Sequence, residues 1–185
     1  DGGKHLKNED GGYDIIGPSD EPFDEDGVRL WKTPRQMTQQ DIDAMQDAFV
    51  AAAERSLAAG YKLLEIHGAH GYLLHSFFTP LVNKRTDKYG GSAENRARMM
   101  LETVEKVRAV WPENRVLSVR LSVHDFVEGG LTLVETAQVG EWLKDRGVDI
   151  LDCSGGGAVP AARGAIGNRT AEQPDMAGRL RSSVG

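Results

Sequence analysis

Between residues 38 and 153 the hydrophobic period switches repeatedly between about 3.6 and about 2 residues, which restricts the chain to a small set of folds. Thr38, with Asp41 three residues on, opens a capping-box pattern, and Ile42, Met45, Phe49, Ala52, Ala53 and Leu57 then recur at helical spacing until Gly60. Residues 62–66 form an apolar run of strand length, followed by a long polar loop from His67 to Gly91. Ser92 is placed to cap a second helix, whose buried face is Ala97, Met100, Leu101, Val104 and Val107, ending at Trp111 and Pro112. Residues 116–121 read as a second strand. Thr132 and Glu135 start a third helix, Gly147 ends it, and residues 148–153 read as a third strand. Strands separated by single helices imply a parallel sheet with right-handed crossovers, either an open doubly wound sheet or part of a (β/α)8 barrel.

Length bears on that choice, because a closed barrel takes eight strand–helix units and typically about 250 residues. Only three strands are legible in these 185 residues, so a barrel reading makes this an incomplete one. Residues 1–37 hold many Gly and Pro without periodicity and are expected to be an irregular arm, extended only near residues 13–16. Residues 38–160 are the expected α/β unit. Residues 161–185 contain no run long enough for a further strand and are expected to be a divergent, largely disordered tail, with at most a helical turn or two at 176–181. The chain lacks a start methionine, and it reads as a piece of a longer product.

Charge and composition exclude several functions. The 22 Lys and Arg are scattered among 28 Asp and Glu, for a net charge of −6, so no basic footprint for nucleic acid exists. No apolar stretch reaches about 18 residues, and residues 1–10 are mostly polar and charged where a signal peptide would need an apolar segment, so a soluble protein is expected. Cys153, the single cysteine, permits neither an internal disulfide nor a Cys-rich metal site, and a cytoplasmic setting is expected.

The residues capable of chemistry follow the strands. His67, His70, Tyr72 and His75 come after the first, Arg120 closes the second, and Cys153, Ser154, Gly155, Gly156 and Gly157 follow the third. In α/β folds this carboxyl edge of the sheet is where ligands bind. The histidine spacing admits three readings: a metal site with Asp125 or His124 as further donors, loop histidines that bond carbonyl groups, or an electrophilic clamp on one substrate oxygen. Arg120 is either a salt-bridge partner or a fixed positive charge for a ligand.

The run from Glu65 to Arg96 carries His67-Gly68-Ala69-His70-Gly71-Tyr72, then Arg85-Thr86-Asp87-Lys88-Tyr89-Gly90-Gly91 and Glu94-Asn95-Arg96. It resembles the Old Yellow Enzyme family of FMN-dependent ene-reductases and NAD(P)H dehydrogenases. Val119-Arg120-Leu121-Ser122 and residues 149–156 match further segments in order, so the similarity covers about residues 12–160. The His-x-x-His form is similar to the thermophilic-like subgroup. The resemblance implies strands four to six of an incomplete TIM barrel, with FMN at the mouth and NAD(P)H as reductant. It implies that His67 and His70 hold the oxygen of an α,β-unsaturated carbonyl substrate, that Tyr72 protonates the α-carbon, and that Arg120 stands beside flavin N1. It also implies that Arg85 and Asp87 brace the loop. The upstream Gln and Gly-Arg-Lys-like turn and the downstream phosphate site of the family have no counterpart here. The segment alone is therefore expected to be inactive, working within a longer polypeptide, a homo-oligomer or another chain that completes the barrel. The competing expectation is a non-catalytic remnant acting as an interaction module through open sheet edges.

Overall fold

The computed structural model describes residues 6–22, 32–160 and 173–185. In chain order it contains a short parallel pair, β1 (Ile16–Gly17) and β2 (Arg35–Gln36), then α1 (Gln39–Ala58), β3 (Leu63–Gly68), α2 (Leu73–Phe78), α3 (Ala93–Val110), β4 (Val116–Ser122), α4 (Leu133–Lys144), β5 (Ile150–Ser154) and α5 (Gln173–Val184). The helix starts follow from local chemistry. Thr38 and Asp41 form a reciprocal capping box on α1, Thr132 and Glu135 form another on α4, and Ser92 accepts from Asn95 N at the start of α3. Gly60 and Gly147, at φ +89° and +78°, turn the chain out of α1 and α4 in a conformation that suits glycine.

The three longer strands lie parallel in the order β3-β4-β5, with Glu65 beside Ser118 and Ile150, and His67 beside Arg120 and Asp152. The two faces of this sheet differ. Ile66, Leu117, Val119 and Leu121 are buried beneath the helices together with Met100 and Val104 of α3. Leu63, Glu65, His67, Arg120, Ile150 and Asp152 alternate onto the other face and are exposed or partly buried. A doubly wound sheet carries helices on both faces and nearly continuous apolar strands. Among the described residues the helices lie on one face only, in α1–α3–α4–α5 contact succession, which makes this the wall of a (β/α) barrel, its polar face corresponding to the barrel interior.

Two elements depart from the sequence reading. Residues 67–91, read as one polar loop, contain α2, whose Leu74, His75, Ser76, Phe77 and Phe78 are all buried. A helix buried on every side has no amphipathic period to betray it. The tail at 161–185, expected to be largely disordered, ends in the twelve-residue α5, because Met176 and Leu180 bury themselves in the core beside α4. Residues 161–172 lie outside the described residues. Among the described residues no helix is long and apolar enough to cross a membrane.

Arg85 explains how the loop before α3 is braced. Its guanidinium is buried, donates to Pro18 O at 3.0 Å and Met37 O at 2.8 Å, and pairs with Asp87, so one side chain ties the N-terminal arm to this loop. The Arg85 guanidinium in turn holds the Asp87 carboxyl below its usual range.

Candidate active site

The carboxyl end of β3 delivers His67 onto the exposed face of the sheet, and the next residues turn back sharply. His70 has φ 61° and Gly71 φ 79°, successive left-handed residues that reverse the chain into α2, with Tyr72 at its N-cap. The reversal brings three rings together: His67 and His70 centroids are 5.3 Å apart, and His67 and Tyr72 centroids 5.2 Å. Tyr72 projects into solvent, 64% exposed. Arg120 lies beside His67 in the ladder and faces Asp152 at 3.3 Å, and its Nε is buried without an aligned hydrogen bond. All four predicted site residues thus share one mouth.

His70 is positioned by serines from the neighbouring strands. Its backbone N–H donates to Ser122 Oγ at 2.9 Å, Ser122 Oγ donates to Gly156 O at 2.8 Å, and His70 Nε2 lies 2.6 Å from Ser154 Oγ. Which ring nitrogen holds the proton follows from the direction of that last bond. Burial lowers the His70 pKa, and the charge of Arg120 lowers it further against the opposing pull of Asp152, so the ring favours the neutral form. The β3 and β5 loops touch without clearance: a Cβ on Gly71 would fall 2.2 Å from Gly157 O, and one on Gly157 would fall 2.6 Å from His70 Cα. The Gly triplet is therefore a packing surface for the His70 corner.

His75 parts company with the other two histidines. Its Nδ1 accepts from Gly71 N and its Nε2 faces Asp125, while His124 Nδ1 accepts from Phe126 N. Among the described residues no three His, Cys, Asp or Glu side chains converge as metal ligands. Ser122 and Ser154 stood in the sequence only as members of strand-end segments and Asp125 only as a possible metal donor; their bonds to the His70 corner and to Thr79 were not foreseen, because each partner lies far along the chain.

A parallel sheet backed by helices on one face, with two imidazoles, a phenol and a guanidinium at its carboxyl edge, defines a (β/α)-barrel enzyme. Residues 1–182 match the NADH:flavin oxidoreductase / NADH oxidase family, and the chain belongs to that family. Family members use FMN, with NAD(P)H as electron donor. An NADPH dehydrogenase of Bacillus licheniformis is 46% identical over 147 residues, covering 80% of this chain and 42% of that protein. Among solved structures, a 2-naphthoyl-CoA reductase is similar at TM-score 0.73 and 25% identity, over 93% of this chain and 29% of its own. The old yellow enzyme homologue from Zymomonas mobilis is similar at TM-score 0.67 and 28% identity, over 76% of this chain and 42% of its own. The chain thus spans less than half the length of the curated relatives it matches, and corresponds to part of a TIM barrel.

Proposed function

We propose that this segment supplies the substrate clamp and proton donor of an FMN-dependent NAD(P)H oxidoreductase that reduces activated C=C bonds of α,β-unsaturated carbonyl compounds. The observation that carries the reading is the convergence of His67, His70 and Tyr72 within 5.2–5.3 Å ring spacings beside Arg120.

The residues present fit a flavin. The Arg120 Nε is buried but lacks an aligned hydrogen bond, and its guanidinium lies on the face of the sheet that no helix covers among the described residues. A permanent cation held there suits the edge of an isoalloxazine ring that gains negative charge on reduction. When bound, FMN would supply the two-electron chemistry. The neutral His70, with His67 beside it, would donate hydrogen bonds to the carbonyl oxygen and stabilise the negative charge that grows there as the double bond is reduced. Tyr72, exposed at the mouth, would give its phenolic proton to the α-carbon. Asp152 keeps Arg120 from swinging off the face.

A flavin-loaded protein carrying this segment should, without oxygen, consume NAD(P)H and an α,β-unsaturated ketone one for one. Tyr72→Phe should slow that turnover by about 10²–10⁴-fold, the usual range for a general acid, while single His67→Ala and His70→Ala changes should weaken ketone binding. Oxidation of NAD(P)H by oxygen alone, with the ketone untouched, would leave the family assignment standing and remove the ene-reductase reading.

A further inference from the structure

Two buried groups near the mouth take no part in the chemistry above. His75 in α2 and Asp125 in the loop after β4 are both fully shielded from solvent, an expensive position for titratable groups unless their surroundings satisfy them. Gly71 N–H donates to His75 Nδ1 at 2.8 Å, so Nδ1 presents its lone pair and the ring proton resides on Nε2. Nε2 faces Asp125 Oδ1 at 3.1 Å, off line, so the two meet as an N–H dipole against a charge rather than as an aligned hydrogen bond. Asp125 Oδ2 accepts from Thr79 Oγ1 at 2.6 Å and Leu131 N at 2.8 Å. Burial raises the Asp125 pKa, but His75 and these donors outweigh it and keep the carboxyl ionised below its usual range.

What this pair holds is the corner that carries the site. A non-glycine residue at positive φ is strained, and His70 is one of two among the described residues. Its follower, Gly71, is tied through its amide to His75, and Tyr72 comes next. Asp125 in turn joins the end of α2 to the β4 loop through Thr79 and Leu131. We propose that His75 and Asp125 are positioning residues: the Nε2–H imidazole, steadied by Asp125, anchors the Gly71 amide and so fixes His70 and Tyr72 against His67. What His70 and Tyr72 then do rests on the oxidoreductase reading; the anchoring itself does not.

The test uses the 185-residue chain in dilute solution, without flavin or substrate. Long-range ¹⁵N–¹H spectra of the unmodified chain should show His75 neutral, with its proton on Nε2 and Nδ1 as acceptor. A proton on Nδ1 overturns the proposal whatever the variants do. His75→Leu keeps bulk but removes the acceptor, whereas His75→Asn places an oxygen near the Nδ1 position. The Leu variant should lose at least about tenfold in Gly71 amide protection, the scale of one lost hydrogen bond, together with the nuclear Overhauser contact between the His70 ring and Ser154. Amides of β4 such as Val119 should keep their protection, and the Asn variant should retain both His70-corner signals. Gly71 protection unchanged in the Leu variant, or lost equally in the Asn variant while β4 holds, overturns the idea. If the Leu variant also loses β4 protection, the tautomer and the Asn variant decide. None of these signals depends on flavin chemistry, so failure of the ene-reductase reading would leave them in place.

Discussion

His70 sits between serines, a guanidinium and two other imidazoles, and its behaviour with pH follows from that setting. Burial and the positive charge of Arg120 depress its folded-state pKa below the free imidazole value of about 6.5. The unfolded chain therefore takes up this proton first: the group imposes no stability penalty above about pH 6.5, and stability is lost as pH falls below that value toward the folded pKa. An NMR titration should place the His70 midpoint below about 6.5; a midpoint at or above that value would mean that the ring is not the neutral donor argued for. Gly71 sets a second constraint, since φ 79° and the Gly157 carbonyl 2.2 Å from a built Cβ leave no room for a side chain. Gly71→Ala should cost about 1–3 kcal/mol in urea unfolding, and an unchanged midpoint would show that the two loops can part freely. His67, His70 and Tyr72 were legible as candidates because they stand in one long local motif, and Arg120 because a separate segment around it matches in order. Ser154 was visible only as a polar residue at a strand end and Asp125 only as a possible metal donor; that they meet His70 and Thr79, 84 and 46 residues away, was not, because spacing along the chain carries no trace of such contacts.

At the scale of elements, the period switches and caps located α1, α3, α4 and the three main strands to within a few residues. A hydrophobic period marks an element where one face is buried and the other wet. It failed for α2, buried all round, and for α5, whose Met176 and Leu180 are separated by Gly178 and flanked by polar residues. The packing of α5 is nonetheless close: a Cβ on Gly140 of α4 would come within 3.0 Å of both Leu151 and Val184, and Lys144 Nζ donates to Val184 O at 2.9 Å at the end of the helix. Leu180, 2% exposed, is a core residue of this contact. Leu180→Ala should therefore destabilise the chain by about 2 kcal/mol or more and lower helix content measured by circular dichroism. A variant as stable as the unmodified chain would put α5 outside the cooperative unit.

For the whole molecule, the decisive feature is the contrast between the two sheet faces. Among the described residues β3 and β5 each pair only with β4, and Leu63 and Ile150 stand 47% and 44% exposed on the face opposite the helices. Three strands wall less than half of an eight-stranded barrel, and the aligned part of this chain covers only 42% of the curated relatives matched. A flavin nucleotide needs a surface for its ring and an anion site, built from backbone N–H groups and a cation, for its phosphate. Arg120 offers a cation at the ring surface, yet it is already engaged with Asp152. We expect the 185-residue chain by itself to fold around its helix-covered face, to hold no FMN, and to self-associate increasingly with concentration through Leu63, Ile150 and the unpaired strand edges. Size-exclusion chromatography recorded at about 280 and about 450 nm, the latter a general flavin wavelength, reads both outcomes at once. A concentration-independent monomer peak with stoichiometric flavin absorbance would show that three strands and Arg120 suffice to hold the cofactor, and that the exposed polar face is a finished binding surface rather than the interior wall of a larger barrel.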